Sequence, residues 1–218
     1  MPMQAVIFDM DGVLVDSEAY WNRASVDFAR EAGKSWTEHD HHACMGCAPQ
    51  EWTRYMREHL DLPYSLEDIR AEVIKRIQAC YAERLPLLPG AIQAVRTAAS
   101  EYTVALASGS PSELVDLVMD LTGLNGVFRA IVSGDSVKRG KPAPDIYLEA
   151  ARRIGATPSR CAGVEDSLNG IRSLRAAGML AIAVPDLSYT LLQEVIDASH
   201  VTLRSLEDFS VELVQSLG

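Results

Sequence analysis

The sequence has no long apolar run, no excess of positive charge and few cysteines, and each shortage excludes a class of protein. No apolar stretch approaches the roughly 20 residues a membrane-spanning helix needs. Basic residues are outnumbered, with 20 Lys and Arg against 30 Asp and Glu, for a formal net charge of -10. A surface of that sign repels nucleic acid and anionic membranes, so neither is expected as a partner. The four cysteines, Cys44, Cys47, Cys80 and Cys161, are too few and too irregular for a disulfide framework, which points to a reducing, cytoplasmic setting. The opening Met1-Pro2-Met3-Gln4 has neither a basic segment nor a cleavage site, so no targeting peptide is expected. There is no internal repeat and no low-complexity segment. A length of 218 residues suffices for one good core with a smaller inserted domain, and a monomer is the default expectation.

What the chain does have is Asp9-Met10-Asp11-Gly12 directly after the apolar run Ala5-Val6-Ile7-Phe8. Side chains alternate along a strand with period two, so Asp9 and Asp11 are expected on one side as the strand ends. Two like charges that close raise the pKa of one carboxyl unless a cation sits between them. Such a pair suits one carboxylate as nucleophile, the other as acid and base, and a divalent metal holding them together. A strand ending in a polar turn is equally compatible with this segment alone.

The rest of the chain decides the matter. Glu18 to Ala32, Gln50 to His59 and Leu66 to Arg84 read as helices, the last opening on Ser65 and Asp68, and residues 34 to 48 read as irregular and His-rich. Pro86-Leu87-Leu88-Pro89-Gly90 then punctuates the chain. Beyond it, strands (Tyr102 to Ala107, Ala130 to Val132, Cys161 to Val164, Leu180 to Val184, and His200 to Leu203) alternate with helices. These run from Ser110-Pro111-Ser112-Glu113 with Ser110 as N-cap, over about 144–153 and 167–176, and from about 206. The expected fold is therefore α/β: a Rossmann-like parallel sheet core, residues 1–16 and 87–218, with an inserted all-helical cap, residues 17–86.

Ligands of open parallel sheets bind beyond the carboxyl ends of the strands. The residues there are Asp9 and Asp11, then Ser108-Gly109-Ser110, then Gly140-Lys141-Pro142, then Glu165-Asp166. Carboxylates suit Mg²⁺, and Asp9 and Asp166 helped by Glu165 would form its pocket. A small hydroxyl residue and a glycine at a helix start suit a phosphate, and Lys141 offsets the charge of both anion and acids. Taken singly, Ser108 is a helix cap, Lys141 a solvated lysine and Glu165-Asp166 a cap for the next helix. Their coincidence at four strand ends favours a site over those readings.

With DMDGVLVDSE (Asp9 to Glu18), ASGS (Ala107 to Ser110), GKPAPD (Gly140 to Asp145) and GVEDSLNG (Gly163 to Gly170) in this order, the chain resembles the haloacid dehalogenase superfamily over essentially its whole length. The helical insertion is similar to the cap of its β-phosphoglucomutase-like and sugar-phosphatase branch. The resemblance implies that Asp9 attacks phosphorus and that Asp11 protonates the leaving oxygen and then activates water. It implies that Asp9, the backbone carbonyl of Asp11, and Asp166 hold Mg²⁺, with Glu165 acting through water, and that Ser108, Gly109 and Lys141 hold the phosphate. Dehalogenases of the superfamily lack the second aspartate and the metal, so Asp11 and Glu165-Asp166 favour phosphate chemistry. Where mutases of the branch carry a histidine and an arginine, this chain has Trp21 and Pro49, which counts against a phosphosugar mutase. Ser17-Glu18 with Trp21, and the linker Leu87 to Gly90, look more like hexose-phosphate phosphatases. A non-catalytic regulatory protein would be expected to have lost Asp9, Asp11, Lys141 or Asp166, and all four are present.

The expected partner is thus a small phosphorylated metabolite. Sugar phosphates, nucleotides, flavin and phosphoglycolate are all open to the sequence, with sugars favoured by the branch. Specificity is expected from cap residues, with Ser17, Glu18, Trp21, Met45, Gly46 and Trp52 as candidates, although the tryptophans also suit a structural core. His39, His41 and His42 with the Cys44-x-x-Cys47 spacing are open to zinc or thiol chemistry, but no second such pair supports either.

Overall fold

In a computed structural model that describes residues 2–44, 47–186 and 192–218, the apolar runs pair into one parallel sheet. Its strands are β1 (Ala5–Phe8), β2 (Thr103–Ala107), β3 (Ala130–Val132), β4 (Cys161–Glu165), β5 (Leu180–Ala183) and β6 (Val201–Thr202). They lie in the order β3-β2-β1-β4-β5-β6. The central β1 pairs with β2 on one side and β4 on the other. Its residues are fully buried, Val6 and Phe8 in one apolar cluster and Ala5 and Ile7 in the other. Burial on both faces is why β1 reads as an unbroken apolar run rather than an alternating one.

Helices α5 (Ala91–Ala99), α6 (Ser112–Thr122) and α10 (Val211–Ser216) contribute to the first cluster. Helices α7 (Asp145–Ile154), α8 (Leu168–Ala176) and α9 (Leu192–Ala198) contribute to the second. Two of these, α5 and α9, carry no expectation from the sequence pattern. The helix expected from about 206 is instead a 3-10 turn over Leu206–Asp208, with α10 beginning only at Val211.

Between β1 and α5 the regular elements among the described residues are all helices: α1 (Glu18–Glu31), α2 (Glu38–Cys44), α3 (Pro49–His59) and α4 (Leu66–Glu83). Ser65 caps α4 by accepting from the Asp68 N–H at 3.0 Å. Helix α2 corrects the irregular reading of residues 34–48. Its start is a reciprocal cap, in which the Thr37 N–H donates to Asp40 Oδ2 at 2.8 Å and the Asp40 N–H donates to Thr37 Oγ1 at 3.4 Å.

The two connections to the sheet are tied together. The Asp16 N–H donates to the Pro86 carbonyl at 2.8 Å and the Leu88 N–H to the Leu14 carbonyl at 3.0 Å. The helical block also rests on the sheet side directly. Arg70 of α4 binds both oxygens of Asp135, at 2.6 and 2.8 Å, and Glu113 at 2.7 Å. Glu51 of α3 accepts from the Gly140 N–H at 3.2 Å, one residue from Lys141. No helix among the described residues is long and apolar enough to cross a membrane.

Candidate functional site

Asp9 is still hydrogen-bonded into the sheet, its N–H donating to the Val164 carbonyl at 3.0 Å, so its side chain leaves the carboxyl edge beside β4. Gly12 then turns the chain at φ +76°, a conformation that strains side chains bearing a Cβ. The turn lets the chain double back, with the Gly12 N–H on the Val15 carbonyl at 2.8 Å. Neighbouring strands supply the rest: Ser108-Gly109-Ser110 after β2, Lys141 in the loop after β3, and Glu165-Asp166 at the end of β4.

Lys141 is the hub. Its Nζ lies 2.8 Å from Asp9 Oδ1 and 2.5 Å from Glu165 Oε1, and its side chain is almost wholly buried. Glu165 is fully buried and also accepts from Tyr147 Oη at 2.6 Å and from the Asp166 N–H at 3.1 Å. Tyr147, buried within α7, has no signal in the sequence that ties it to the site. Burial alone would lower the Lys141 pKa, but Asp9 and Glu165 overcome it and hold the ammonium above its ordinary value. Burial likewise opposes the Glu165 charge, and Lys141 with Tyr147 overcomes it, holding that carboxyl below its ordinary value.

Asp9 and Asp166 go the other way. Burial first, then the Glu165 charge, pushes Asp9 up to about 8 despite Lys141, and Asp11 is a smaller contributor. The same causes, with Asp9 in place of Asp11, push Asp166 well above the usual carboxylate range. The raised carboxyl expected from an Asp9–Asp11 pair is therefore present, but its cause is chiefly burial and Glu165. Asp9 Oδ1 is close to Lys141 yet has no aligned hydrogen-bond donor, so the contact is an ion pair with a lone pair left over.

Three buried or half-buried carboxylates against one lysine leave an excess of negative charge. The ligand oxygens of Asp9, Glu165 and Asp166 all lie within 4.8 Å of one another. Oxygen donors with uncompensated charge fit a hard divalent cation such as Mg²⁺, which takes few carboxylates and keeps several waters. Glu165, already engaged by Lys141, Tyr147 and a backbone N–H, suits the outer shell. The spacing is enforced by two glycines. A Cβ on Gly12 would sit 2.0 Å from Asp166 Oδ2, and one on Gly170 would sit 1.9 Å from the Glu165 carboxyl carbon. Gly12→Ala is therefore expected to displace Asp166 and to lower turnover about 100-fold, the scale on which small misplacements act. Steady-state kinetics together with a near-native circular dichroism spectrum would check it.

Asp11 has different company. Its carboxylate accepts from Ser17 Oγ at 2.6 Å, Ser110 Oγ at 2.8 Å and Ser108 Oγ at 2.9 Å. Three hydroxyl donors on one carboxylate fix its orientation. Ser108 is fully buried with its hydroxyl spent on Asp11, while Gly109 and Ser110 open to the cavity. Ser110 was expected to cap α6 but instead binds Asp11. The helix starts at Ser112, whose N–H is met at 2.9 Å by Asp135 from across the fold.

These groups form the floor of a cavity of about 470 Å³ between the helical block and the sheet edge. Of the expected cap residues, Ser17, Glu18, Trp21 and Trp52 line it. Met45 and Gly46 lie outside the described residues. Of the His and Cys cluster, His41 lies 3.5 Å from Glu18, whose carboxyl is held below its usual value chiefly by that histidine. Burial pushes the Cys44 thiol up to about 12 and Cys47 to about 11, which keeps both neutral. Among the described residues, this cluster does not bring three ligand atoms together.

A family model described as haloacid dehalogenase-like hydrolase matches residues 3–178. Hexitol phosphatase B of Escherichia coli (strain K12) is 34% identical over 187 residues, covering 83% of each chain. A phosphorylated carbohydrates phosphatase of Thermotoga maritima is 34% identical over 178 residues, covering 81% of this chain and 82% of its own. Among solved structures, a mutant of CbbY from Rhodobacter sphaeroides in complex with xylulose-(1,5)bisphosphate superimposes with a TM-score of 0.84 at 26% identity, covering 94% of this chain and 96% of that one. Sheet order, strand-end residues and these matches agree, and the chain belongs to the haloacid dehalogenase-like hydrolase family.

Proposed function

We propose that the protein is a Mg²⁺-dependent phosphatase that hydrolyses a small phosphate monoester, a sugar phosphate, through a phospho-aspartate on Asp9. The observation that carries this reading is the convergence of Asp9, Asp166 and Lys141 at the floor of one cavity, with Asp11 beside them in its hydroxyl cradle. The sugar half of the reading draws on the relatives, whose names are those of hexitol and carbohydrate phosphatases. Residues 1–16 and 87–218 serve as the catalytic core and 17–86 as a cap that excludes bulk water from the floor.

Asp9 presents a carboxylate oxygen to phosphorus, and the bond to the leaving alcohol breaks as the new one forms. Asp11 gives its proton to the departing alkoxide oxygen. A water then attacks phosphorus, Asp11 takes its proton, and Asp9 is released with inorganic phosphate. Asp9, Asp166 and the Asp11 backbone carbonyl would hold Mg²⁺, with Glu165 behind them. The ion supplies Lewis acidity and charge balance for the phosphoryl oxygens. Lys141, Gly109 and Ser108 steady the same oxygens, Ser108 once Asp11 is protonated and frees its hydroxyl.

The test is phosphate release over a panel of sugar phosphates. With Mg²⁺, turnover is expected on at least one. Chelation should lower it at least about 100-fold, and added Mg²⁺ should restore it. Turnover indifferent to chelation would contradict the reading.

A further inference from the structure

All three tryptophans of the chain, Trp21, Trp36 and Trp52, line the same cavity. Met56, Cys44 and Cys47, from the same helical block, also line it. Trp21 and Trp52 meet edge to face, with ring centroids 5.6 Å apart and planes at 73°. Trp36 and Trp52 are buried, whereas Trp21 is only half-buried. The indole N–H groups of Trp36 and Trp52 have no hydrogen-bond partner among the described residues. The helical block also brings polar groups to the cavity, among them Ser25 and the Glu18–His41 contact.

Such a wall is poorly matched to an open-chain polyol. A polyol has a hydroxyl on nearly every carbon, and the two unpartnered indole N–H groups can donate to only two of them, while a thioether and neutral thiols are weak partners for the rest. It is well matched to a flat ring, which gains contact area, edge-to-face geometry and soft sulfur contacts at once. A volume of about 470 Å³ has room for a phosphoryl group, a five-carbon sugar and one flat ring.

Building on the phosphatase reading above, we propose that the preferred substrate is a sugar phosphate whose alcohol half carries a flat unsaturated ring, seated against Trp21. The phosphoryl group lies on the floor, the sugar hydroxyls meet Ser25 and the Glu18–His41 pair, and the ring lies along the tryptophan wall. Trp21 is then a specificity-determining residue.

The experiment compares ribose 5-phosphate with uridine 5′-monophosphate, the same primary phosphate without and with a flat ring, with Mg²⁺ and the unaltered chain. The ring-bearing ester should have a kcat/KM at least about 10-fold higher, worth about 1.4 kcal/mol. Trp21→Leu should narrow that ratio to below about 3, and Trp21→Phe should keep most of it. A ratio of one or less in the unaltered chain, or a ratio that Trp21→Leu leaves intact, overturns the proposal. Free uridine should quench the intrinsic tryptophan fluorescence and inhibit at least about 10-fold more strongly than free ribose, a readout that does not need a folded variant. Equal inhibition by both overturns the proposal too. If hexitol and ribose phosphates are hydrolysed but the ring confers nothing, this inference alone fails. If no ester releases phosphate, the phosphatase reading fails and takes this one with it.

Discussion

Asp9→Asn is expected to reduce phosphate release to background, a loss of about 10⁴-fold or more, because the amide oxygen is a far weaker nucleophile than the carboxylate. The fold should survive. In the native chain Asp9, Glu165 and Asp166 crowd around one lysine, and Asp9 is pushed up to about 8 by burial and by Glu165. The neutral amide removes one member of that crowd at nearly unchanged volume, while Lys141 keeps Glu165 at 2.5 Å. Without Mg²⁺ the variant should therefore melt at the same temperature as the native chain or slightly above it. With Mg²⁺ it should gain less than the native chain, because one ligand charge has gone. A variant that lost activity only by unfolding would show a lowered melting temperature, so a thermal scan separates the two causes.

Lys141→Met should abolish activity and also destabilise the protein. The lysine is the common partner of Asp9 and Glu165, and its side chain is only 4% exposed. Removing one member of a buried ion pair leaves an uncompensated charge and costs about 3–5 kcal/mol. For a chain of this size that is a fall of about 10 °C in melting temperature. The pH dependence gives a sharper check. Lys141, with Tyr147, overcomes the effect of burial and holds the Glu165 carboxyl below its ordinary value. A depressed carboxyl stabilises the fold above its unfolded pKa, and that stability is lost as pH falls through the folded pKa. In the methionine variant Glu165 loses its cation, so its pKa rises and it takes up a proton more easily. The gap in melting temperature between native and variant should be wide at pH 8 and narrower at pH 5. A gap independent of pH would show that Lys141 matters for packing rather than for charge.

The parts of this molecule that were legible in the sequence depend on local pattern. The strand Ala5–Phe8, the helix from Glu18 and the acids at the ends of β1 and β4 are set by residues adjacent in the chain. The parts that were not legible depend on partners far away. Ser110 has the look of a helix cap, with proline and glutamate in the right places. Its hydroxyl is drawn to Asp11, 99 positions earlier, while Asp135 takes over the helix start. Tyr147 is an ordinary apolar-face residue of α7 until Glu165 is brought against it. Helix α2 escaped because its apolar residues have no helical period and its cap uses Asp40 where glutamate is usual. Gly134 is another long-range case. A Cβ there would lie 2.1 Å from the Gly109 carbonyl oxygen and 2.6 Å from Pro49 Cδ, so this glycine lets the helical block, the β2 loop and the β3 loop meet. Nothing in the surrounding sequence marks that meeting point.

Covalent attachment of phosphorus to Asp9, as proposed, would give an acyl phosphate, and acyl phosphates can be caught. The protein should be mixed with a sugar phosphate it turns over, quenched in acid and reduced with borohydride, then mapped by mass spectrometry. Reduction of an aspartyl phosphate gives homoserine, so position 9 should appear as homoserine in the substrate-treated sample and as aspartate in the control. Unmodified aspartate at position 9 in a preparation that is demonstrably releasing phosphate would contradict the account.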